Sequence, residues 1–262
     1  MRLLGIIPAA GLGSRLQPLP FSKELYPVGF RMIDNSLRVT PIAFHLIDAF
    51  KQAEVSQLYF VVGPQKTDIP RYFLNGSQFG VQFSYLYQPK PKGMVDALAQ
   101  VTPWLQADEE ALVFIGMPDT YFQPSNLFMK MKEAMLRNPE LHVVLGVFPA
   151  SSWWKLGMVH FRLQEDGTGE VIDIEDKPKV RPTTNYAWGT AVWRIRFQRY
   201  LTRCQAEYEG ENELVLSDVL LNAKRDGMKV GCIVGSEYED LGTLDDLLRF
   251  TKRIVKGQEE DP

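Results

Sequence analysis

Apolar positions along the chain follow two rhythms. Short, nearly continuous runs at residues 3–8, 58–62, 111–115 and 141–148 read as strands buried on both faces, and residues 81–87 alternate as a strand does. Between them the apolar positions return at helical spacing. Ile42, Leu46, Ile47 and Phe50 mark a helix over 41–53, with Pro41 suited to its start, and further helices are predicted over 94–101 and 125–137. This alternation predicts an α/β fold: a doubly wound, mostly parallel, Rossmann-like sheet covered on both faces. After Gly157 the rhythm changes. Residues 158–163 and 170–174 flank Glu165-Asp166-Gly167-Thr168-Gly169, a hairpin signal, and residues 188–195 form a third extended piece. Together they predict a β-rich lobe inserted against the main sheet. The tail reads as helices over 214–225 and 244–255 around a strand at 229–234, with a frayed polar end at 257–262. No repeat, low-complexity tract or linker divides the chain, so 1–262 is read as a single domain.

Composition narrows the function classes. The 262 residues are 45% hydrophobic and 23% charged, an ordinary globular balance. A formal net charge of −3 supplies no broad basic surface, which argues against nucleic acid as a partner and leaves small anions open. Cys204 and Cys232 stand in no metal-ligand spacing; two such cysteines fit a reducing cytoplasm better than a disulfide framework. Arg2 followed by apolar residues 3–7 mimics a secretory leader, but the run is short and a polar loop follows at once. No run approaches the roughly 20 apolar residues of a membrane span. The expectation is a cytoplasmic protein acting on small molecules, without nucleic-acid or membrane partners and with a homo-oligomer possible.

The candidate chemistry starts where the first strand ends. Pro8-Ala9-Ala10-Gly11-Leu12-Gly13-Ser14-Arg15-Leu16 joins a strand to a glycine-rich turn, and Ser22-Lys23-Glu24-Leu25-Tyr26-Pro27 follows. Glycines let backbone N–H groups approach a polyphosphate, and Arg15 and Lys23 are placed to neutralise charge beside it. A dinucleotide loop would need glycine where Leu16 stands, and the Gly-Lys-Ser/Thr of a Walker loop is absent. A plain tight turn remains the competing reading of Gly-x-Gly alone. Asp119 ends a buried strand on the edge where such sheets bind ligands.

The two segments resemble the signature of the sugar-1-phosphate nucleotidyltransferases, and further stretches in the same order extend the resemblance from Gly5 to about Leu248. Gln88-Pro89-Lys90-Pro91-Lys92-Gly93 resembles the family's base-reading turn, and Met117-Pro118-Asp119-Thr120 its strand-end aspartate. Gly157-Met158-Val159 resembles the sugar-contacting glycine, Glu175-Asp176-Lys177-Pro178 the E-K-P motif, and Asp240-Leu241-Gly242-Thr243 the late D-x-G-T motif. The resemblance implies an enzyme that joins a nucleoside triphosphate (dTTP or UTP) to a hexose 1-phosphate, with glucose 1-phosphate favoured, and releases pyrophosphate. It assigns Arg15, Lys23 and Lys177 to catalysis. It assigns Ala10, Gly11, Leu12, Gly13, Ser14, Arg15, Gln88 and Gly93 to the nucleotide. Gly157, Glu175, Asp176 and Lys177 go to the sugar, and Asp119 and Asp240 to Mg²⁺. Residues 1–150 would mainly bind nucleotide, 151–200 would form the sugar lobe, and 201–262 would close the site.

Departures from the pattern bear on the sugar. Asp176 replaces the commoner glutamate, Met117-Pro118 replaces a glycine, Trp188-Gly189-Thr190 shifts the glycine of the sugar loop, and residues 30–39 look inserted or altered. His45, His142 and His160 lie outside every motif. None is required as a base, because a phosphate monoester with a second pKa near about 6 is already mostly dianionic at neutral pH. The rival readings are a binding module of the same fold without turnover and, more distantly, a nicotinamide-dependent dehydrogenase, which Leu16 disfavours.

Overall fold

The computed structural model describes residues 1–33, 35–105 and 110–259. In chain order its strands are β1 (Arg2–Ala9), β2 (Pro27–Ile33), β3 (Ser36–Pro41), β4 (Gln57–Val62), β5 (Gln82–Tyr87), β6 (Ala111–Gly116), β7 (Thr120–Gln123), β8 (Leu141–Pro149), β9 (Gly157–Leu163), β10 (Gly169–Asp176), β11 (Tyr186–Arg194), β12 (Lys229–Val234) and β13 (Glu237–Asp240). Its helices are α1 (Ala43–Gln52), α2 (Asp68–Phe73), α3 (Met94–Ala99), α4 (Leu127–Arg137), α5 (Ile195–Glu207), α6 (Leu216–Arg225) and α7 (Leu244–Glu259).

Nine strands form one sheet in the order β5-β4-β1-β6-β11-β8-β12-β10-β9. The β5–β4, β4–β1, β1–β6 and β8–β12 pairings are parallel. β11 runs antiparallel between β6 and β8, and β10 antiparallel to β12, within an otherwise like-directed sheet. The alternation along each central strand divides the core. Leu4 and Ile6 of β1 and Val113 and Ile115 of β6 face one side, with α3, α5 and α6 packed there through Leu98, Leu201 and Leu220. Ile7, Phe60 and Phe114 face the other, against Phe44, Phe50 and Phe128 of α1 and α4. The doubly covered α/β sheet expected from the sequence is therefore present.

The β9–β10 hairpin is not a detached lobe. It extends the main sheet at β12, and β9 returns to pair with β11 at Met158 and Ala187, so this end of the sheet curls back on itself. Two small ribbons complete the fold, β2–β3 and β7–β13. Leu16, Val28, Ile42, Leu241, Leu247 and Phe250 form a separate small core that ties the glycine loop to the first ribbon and α7.

Several boundaries differ from the sequence expectation. Pro41 does not open a helix; it closes β3 opposite Pro27, and α1 starts two residues later. A thirteen-residue helix, α5, follows β11 with no break between them. α7 continues through Glu259, so residues 257–259 are helical and not frayed, while 260–262 lie outside the described residues.

Candidate active site

Four strands that run side by side, β5, β4, β1 and β6, all end on one edge of the sheet. The chain leaves β1 at Ala9, and Gly13 at φ 63° turns it into a short 3-10 turn, Ser14–Leu16. That left-handed conformation suits glycine, and a Cβ there would stand 3.4 Å from the Lys23 side chain. Leu16 is buried in the small core, which pins the turn and lets Arg15 project from it. The Arg15 guanidinium lies 3.7 Å from the Asp240 carboxylate. Gly242 permits this approach, since a Cβ on it would sit 2.5 Å from Arg15 Nη2.

Lys23 rests on a second 3-10 turn, Lys23–Leu25, anchored from both sides. The Ser22 backbone N–H and hydroxyl donate to Asp68 at 2.6 and 2.5 Å, and buried Glu24 accepts from Lys66 Nζ at 2.7 Å. Burial pushes the Glu24 carboxyl up against the opposing pull of the Lys66 ammonium. The Lys23 ammonium makes a charge-assisted bond to Asp119 Oδ2. Burial works against its charge, but Asp119, with Glu24 and Asp240 behind it, more than offsets this and holds Lys23 above the usual lysine range.

The β7–β13 ribbon brings the two candidate metal carboxylates together. Asp240 stands opposite Thr120, and the Leu241 N–H donates to the Asp119 carbonyl at 3.1 Å. The Gly242 N–H holds Asp240 Oδ1 at 3.0 Å. Mg²⁺ takes one or two carboxylates when phosphate oxygens and water fill its other positions, so this pair fits it. Among the described residues no group of three His, Cys, Asp or Glu gathers into an all-protein cage.

Gln88 follows β5 and is buried at 2% exposure. Its Nε2 donates to Asp96 Oδ2 at 2.6 Å and to the Gly93 carbonyl at 3.3 Å. Both partners are acceptors, which fixes the amide with its nitrogen inward and its carbonyl as the remaining polar atom. Gly93 takes φ 89° and lies against Glu213. A cleft of about 450 Å³ is lined by Ala10, Gly11, Arg15, Lys23, Gln88, Gly93 and Asp119, together with Glu213.

A neighbouring cavity of about 200 Å³ holds Gly157, Asp176, Lys177 and Trp188, and shares Met94, Met117 and Glu213 with the cleft. Lys177 has φ 44° and its N–H donates to the Leu156 carbonyl at 3.0 Å, which aims the side chain out of β10. Its ammonium is 3.8 Å from Asp176 Oδ2. Of the cations and carboxylates named from the sequence, Arg15, Lys23, Asp119, Asp176 and Lys177 line these two adjoining spaces, whereas Asp240 lines a third one beside them, with Lys155, Asp246 and Arg249.

One expectation is corrected here. Glu175 does not face either space: successive strand residues point to opposite faces, and its carboxylate meets His160 Nε2 at 2.9 Å. The same contact draws His160 to a motif residue. Leu12 lines a separate groove with Phe21 and Lys66 and is not among the residues that line the cleft. Glu213, Met94 and Lys155 line the two spaces without having been singled out. Glu213 sits just ahead of α6 in Glu211-Asn212-Glu213, a polar stretch that reads as an ordinary surface turn.

A family model described as Nucleotidyl transferase matches residues 4–257. The chain belongs to the nucleotidyl transferase family. A glucose-1-phosphate thymidylyltransferase of Streptomyces griseus is 22% identical over 258 residues, covering 97% of this chain and 66% of its own length. The chain therefore spans just under two thirds of that enzyme. The glucose-1-phosphate thymidylyltransferase of Mycolicibacterium smegmatis is 28% identical over 254 residues, covering 93% of this chain and 79% of its own. The crystal structure of a UDP-glucose pyrophosphorylase complexed with UDP-glucose has a TM-score of 0.81, covering 98% of this chain and 100% of that one at 18% identity. At that identity the likeness is one of fold. No described helix is long and apolar enough to cross a membrane.

Proposed function

We propose that this family member joins a nucleoside triphosphate to a hexose 1-phosphate, giving a nucleoside diphosphate sugar and pyrophosphate. The observation that carries the reading is the adjacency of two differently equipped spaces. One holds Arg15, Lys23, Asp119 and Gln88, and the other Asp176 and Lys177, with Met94, Met117 and Glu213 common to both. A phosphate oxygen of the sugar 1-phosphate attacks the α-phosphorus in line. The new P–O bond forms as the α–β bridging bond breaks, and pyrophosphate leaves with that electron pair. No general base is required, because the attacking oxygen arrives charged. The protein's task is to align two anions and neutralise them.

In this reading the backbone from Ala10 to Ser14 cradles the triphosphate, and Arg15 meets charge growing on the leaving pyrophosphate. Lys23 orients the α- and β-phosphates, while Lys177 anchors the incoming sugar phosphate. Gly157 and Asp176 serve the sugar. Asp119 and Asp240 would hold Mg²⁺, which supplies neutralisation of the phosphates when bound. Residues 1–150 then serve mainly the nucleotide and 151–200 mainly the sugar, with Glu213 and Asp240 closing the site from the last segment. The Gln88 amide supports the choice of base. With its nitrogen committed to Asp96 and Gly93, the carbonyl accepts from the N3–H of uracil or thymine, which cytosine lacks.

A screen of four nucleoside triphosphates against a panel of hexose 1-phosphates, read by pyrophosphate release, tests the proposal. Turnover is expected with UTP or dTTP and glucose 1-phosphate. Saturable binding of nucleotide without pyrophosphate release from any pair would make the chain a binding module.

A further inference from the structure

We infer that Ser217 is a positioning residue for sugar selection, acting through Asp176 as the middle of a hydrogen-bonded chain Trp188–Ser217–Asp176; this rests on reading the smaller cavity as the sugar subsite. Trp188 Nε1 donates to Ser217 Oγ at 3.1 Å, and Ser217 Oγ donates to Asp176 Oδ1 at 3.1 Å. The direction of the chain is not adjustable. An indole nitrogen only donates and a carboxylate only accepts, so the single hydroxyl proton of Ser217 is committed to Asp176.

Ser217 is 1% exposed and does not line the cavity, whereas Asp176 and Trp188 do. Its site at the start of α6 is packed against Gly157, where a Cβ would lie 2.3 Å from Trp188 Nε1 and 2.8 Å from Ser217 Oγ. Gly157 is thereby required by the chain itself, in addition to any contact with a sugar.

The consequence is a division of the Asp176 carboxylate. Oδ1 is occupied from behind, and Oδ2, 3.8 Å from Lys177 Nζ, is left toward the cavity as a single oriented acceptor. Trp188, its N–H already spent, offers the cavity an apolar ring and no donor. A hexose 1-phosphate entering here meets the indole ring and, besides the Glu213 carboxylate that also lines the space, an Asp176 oxygen held in one direction as an acceptor for a ring hydroxyl. Discrimination among sugars is then set by whether a hydroxyl points at that oxygen. A site built around such a contact rejects the analogue lacking the hydroxyl strongly, because the acceptor is left unpaired.

The test compares wild type, Ser217→Ala and Ser217→Thr. Hydrogen bonds to charged groups are strong enough that losing the Ser217 contact should raise KM for the sugar 1-phosphate about tenfold. KM for the nucleotide and kcat should stay within about twofold, since Ser217 touches neither nucleotide nor reacting atoms. The threonine variant keeps the hydroxyl and should stay within about threefold of wild type. An equal rise in both variants would assign the effect to packing and overturn the inference, as would a fall in kcat with both KM values raised. A second readout needs no substrate: the Trp188 indole N–H resonance, identified with Trp188→Phe, should shift in Ser217→Ala. An unmoved resonance would show that the chain does not form. Wild-type protein silent with every nucleotide and hexose 1-phosphate would instead overturn the reading of the cavity, and the role of Ser217 with it.

Discussion

Arg15 carries its charge on a side chain that is 57% exposed, while its neighbour Leu16 is buried and holds the turn. Removing the guanidinium should therefore leave the fold alone and strike only the chemistry. Arginines that stabilise phosphoryl-transfer charge contribute about 10³–10⁵ in rate, so Arg15→Ala should lose at least about a thousandfold in kcat with an unchanged circular dichroism spectrum. Near-normal turnover would remove Arg15 from the mechanism. Glu175 gives the opposite expectation. Its carboxylate is turned to His160 on the other strand face, so Glu175→Gln should change kcat/KM less than about threefold. A loss comparable to that of Asp176→Asn would show that Glu175 reaches the sugar after all. The two neighbours face different ways because β10 continues through them, whereas the sequence pattern ends that strand at Ile174. Which of two adjacent carboxylates serves a site is decided by strand phase, and phase was not legible once the apolar alternation had stopped.

Among the elements, the strands with uninterrupted apolar runs (β1, β4, β6 and β8) were legible because they are buried on both faces and need no polar side. The elements that escaped are those whose burial is one-sided or borrowed. In β2–β3, the cross-strand pairs Phe30–Val39 and Met32–Leu37 are all exposed, so their alternation marks no core. β7 and β13 are four residues each and gain definition only from each other, yet they set Asp119 beside Asp240. α5 follows β11 directly, so Phe197, Tyr200 and Leu201 read as a continuation of the preceding apolar stretch. The packing of α1, β7 and α7 carries a pH dependence. His45 of α1 lies edge-on to Tyr121 and Phe250, and burial, aided by Arg31 and Arg253 against Asp48, lowers its pKa from 6.5 to about 4. Between those values the unfolded chain binds a proton that the folded protein refuses. The His45 contribution is therefore complete above pH 6.5 and is lost as the pH falls towards 4, by about 2–3 kcal/mol. Urea midpoints measured from pH 7 to pH 4 should fall less steeply in a folded His45→Gln variant than in wild type; parallel slopes would contradict the assignment.

At the scale of the whole molecule, the charges around the candidate site stand as opposed pairs. Lys23 is bonded to Asp119 and Arg15 faces Asp240, so each cation proposed for phosphate is paired with a carboxylate proposed for metal. On the proposed roles, binding both ligands would exchange partners, and either ligand alone would have to break a pair, most costly at the largely buried Lys23–Asp119 contact. Couplings of this kind are typically 5–150-fold, so Mn²⁺ used as a paramagnetic probe should bind at least about tenfold tighter with nucleotide present. Lys23→Gln should tighten Mn²⁺ binding in the absence of nucleotide by releasing Asp119, even as it weakens the nucleotide. Equal Mn²⁺ affinity in wild type with and without nucleotide would contradict the exchange. These segments are far apart in sequence, yet their order along the chain made most of the candidate site legible. Ala10, Gln88 and Asp119 follow strands that end on one edge, and Lys23 reaches them from the turn after the glycine loop. The places of Glu213 and Ser217 were not legible, because they depend on how α6 docks against the curled end of the sheet.

The most direct measurement is a ³¹P NMR time course with UTP or dTTP, glucose 1-phosphate and Mg²⁺ present together. Pyrophosphate and a nucleoside diphosphate sugar should appear in equal amounts, with almost none from Arg15→Ala. Unchanged triphosphate and sugar phosphate signals in the presence of folded, nucleotide-bound wild-type protein would contradict the proposed reaction.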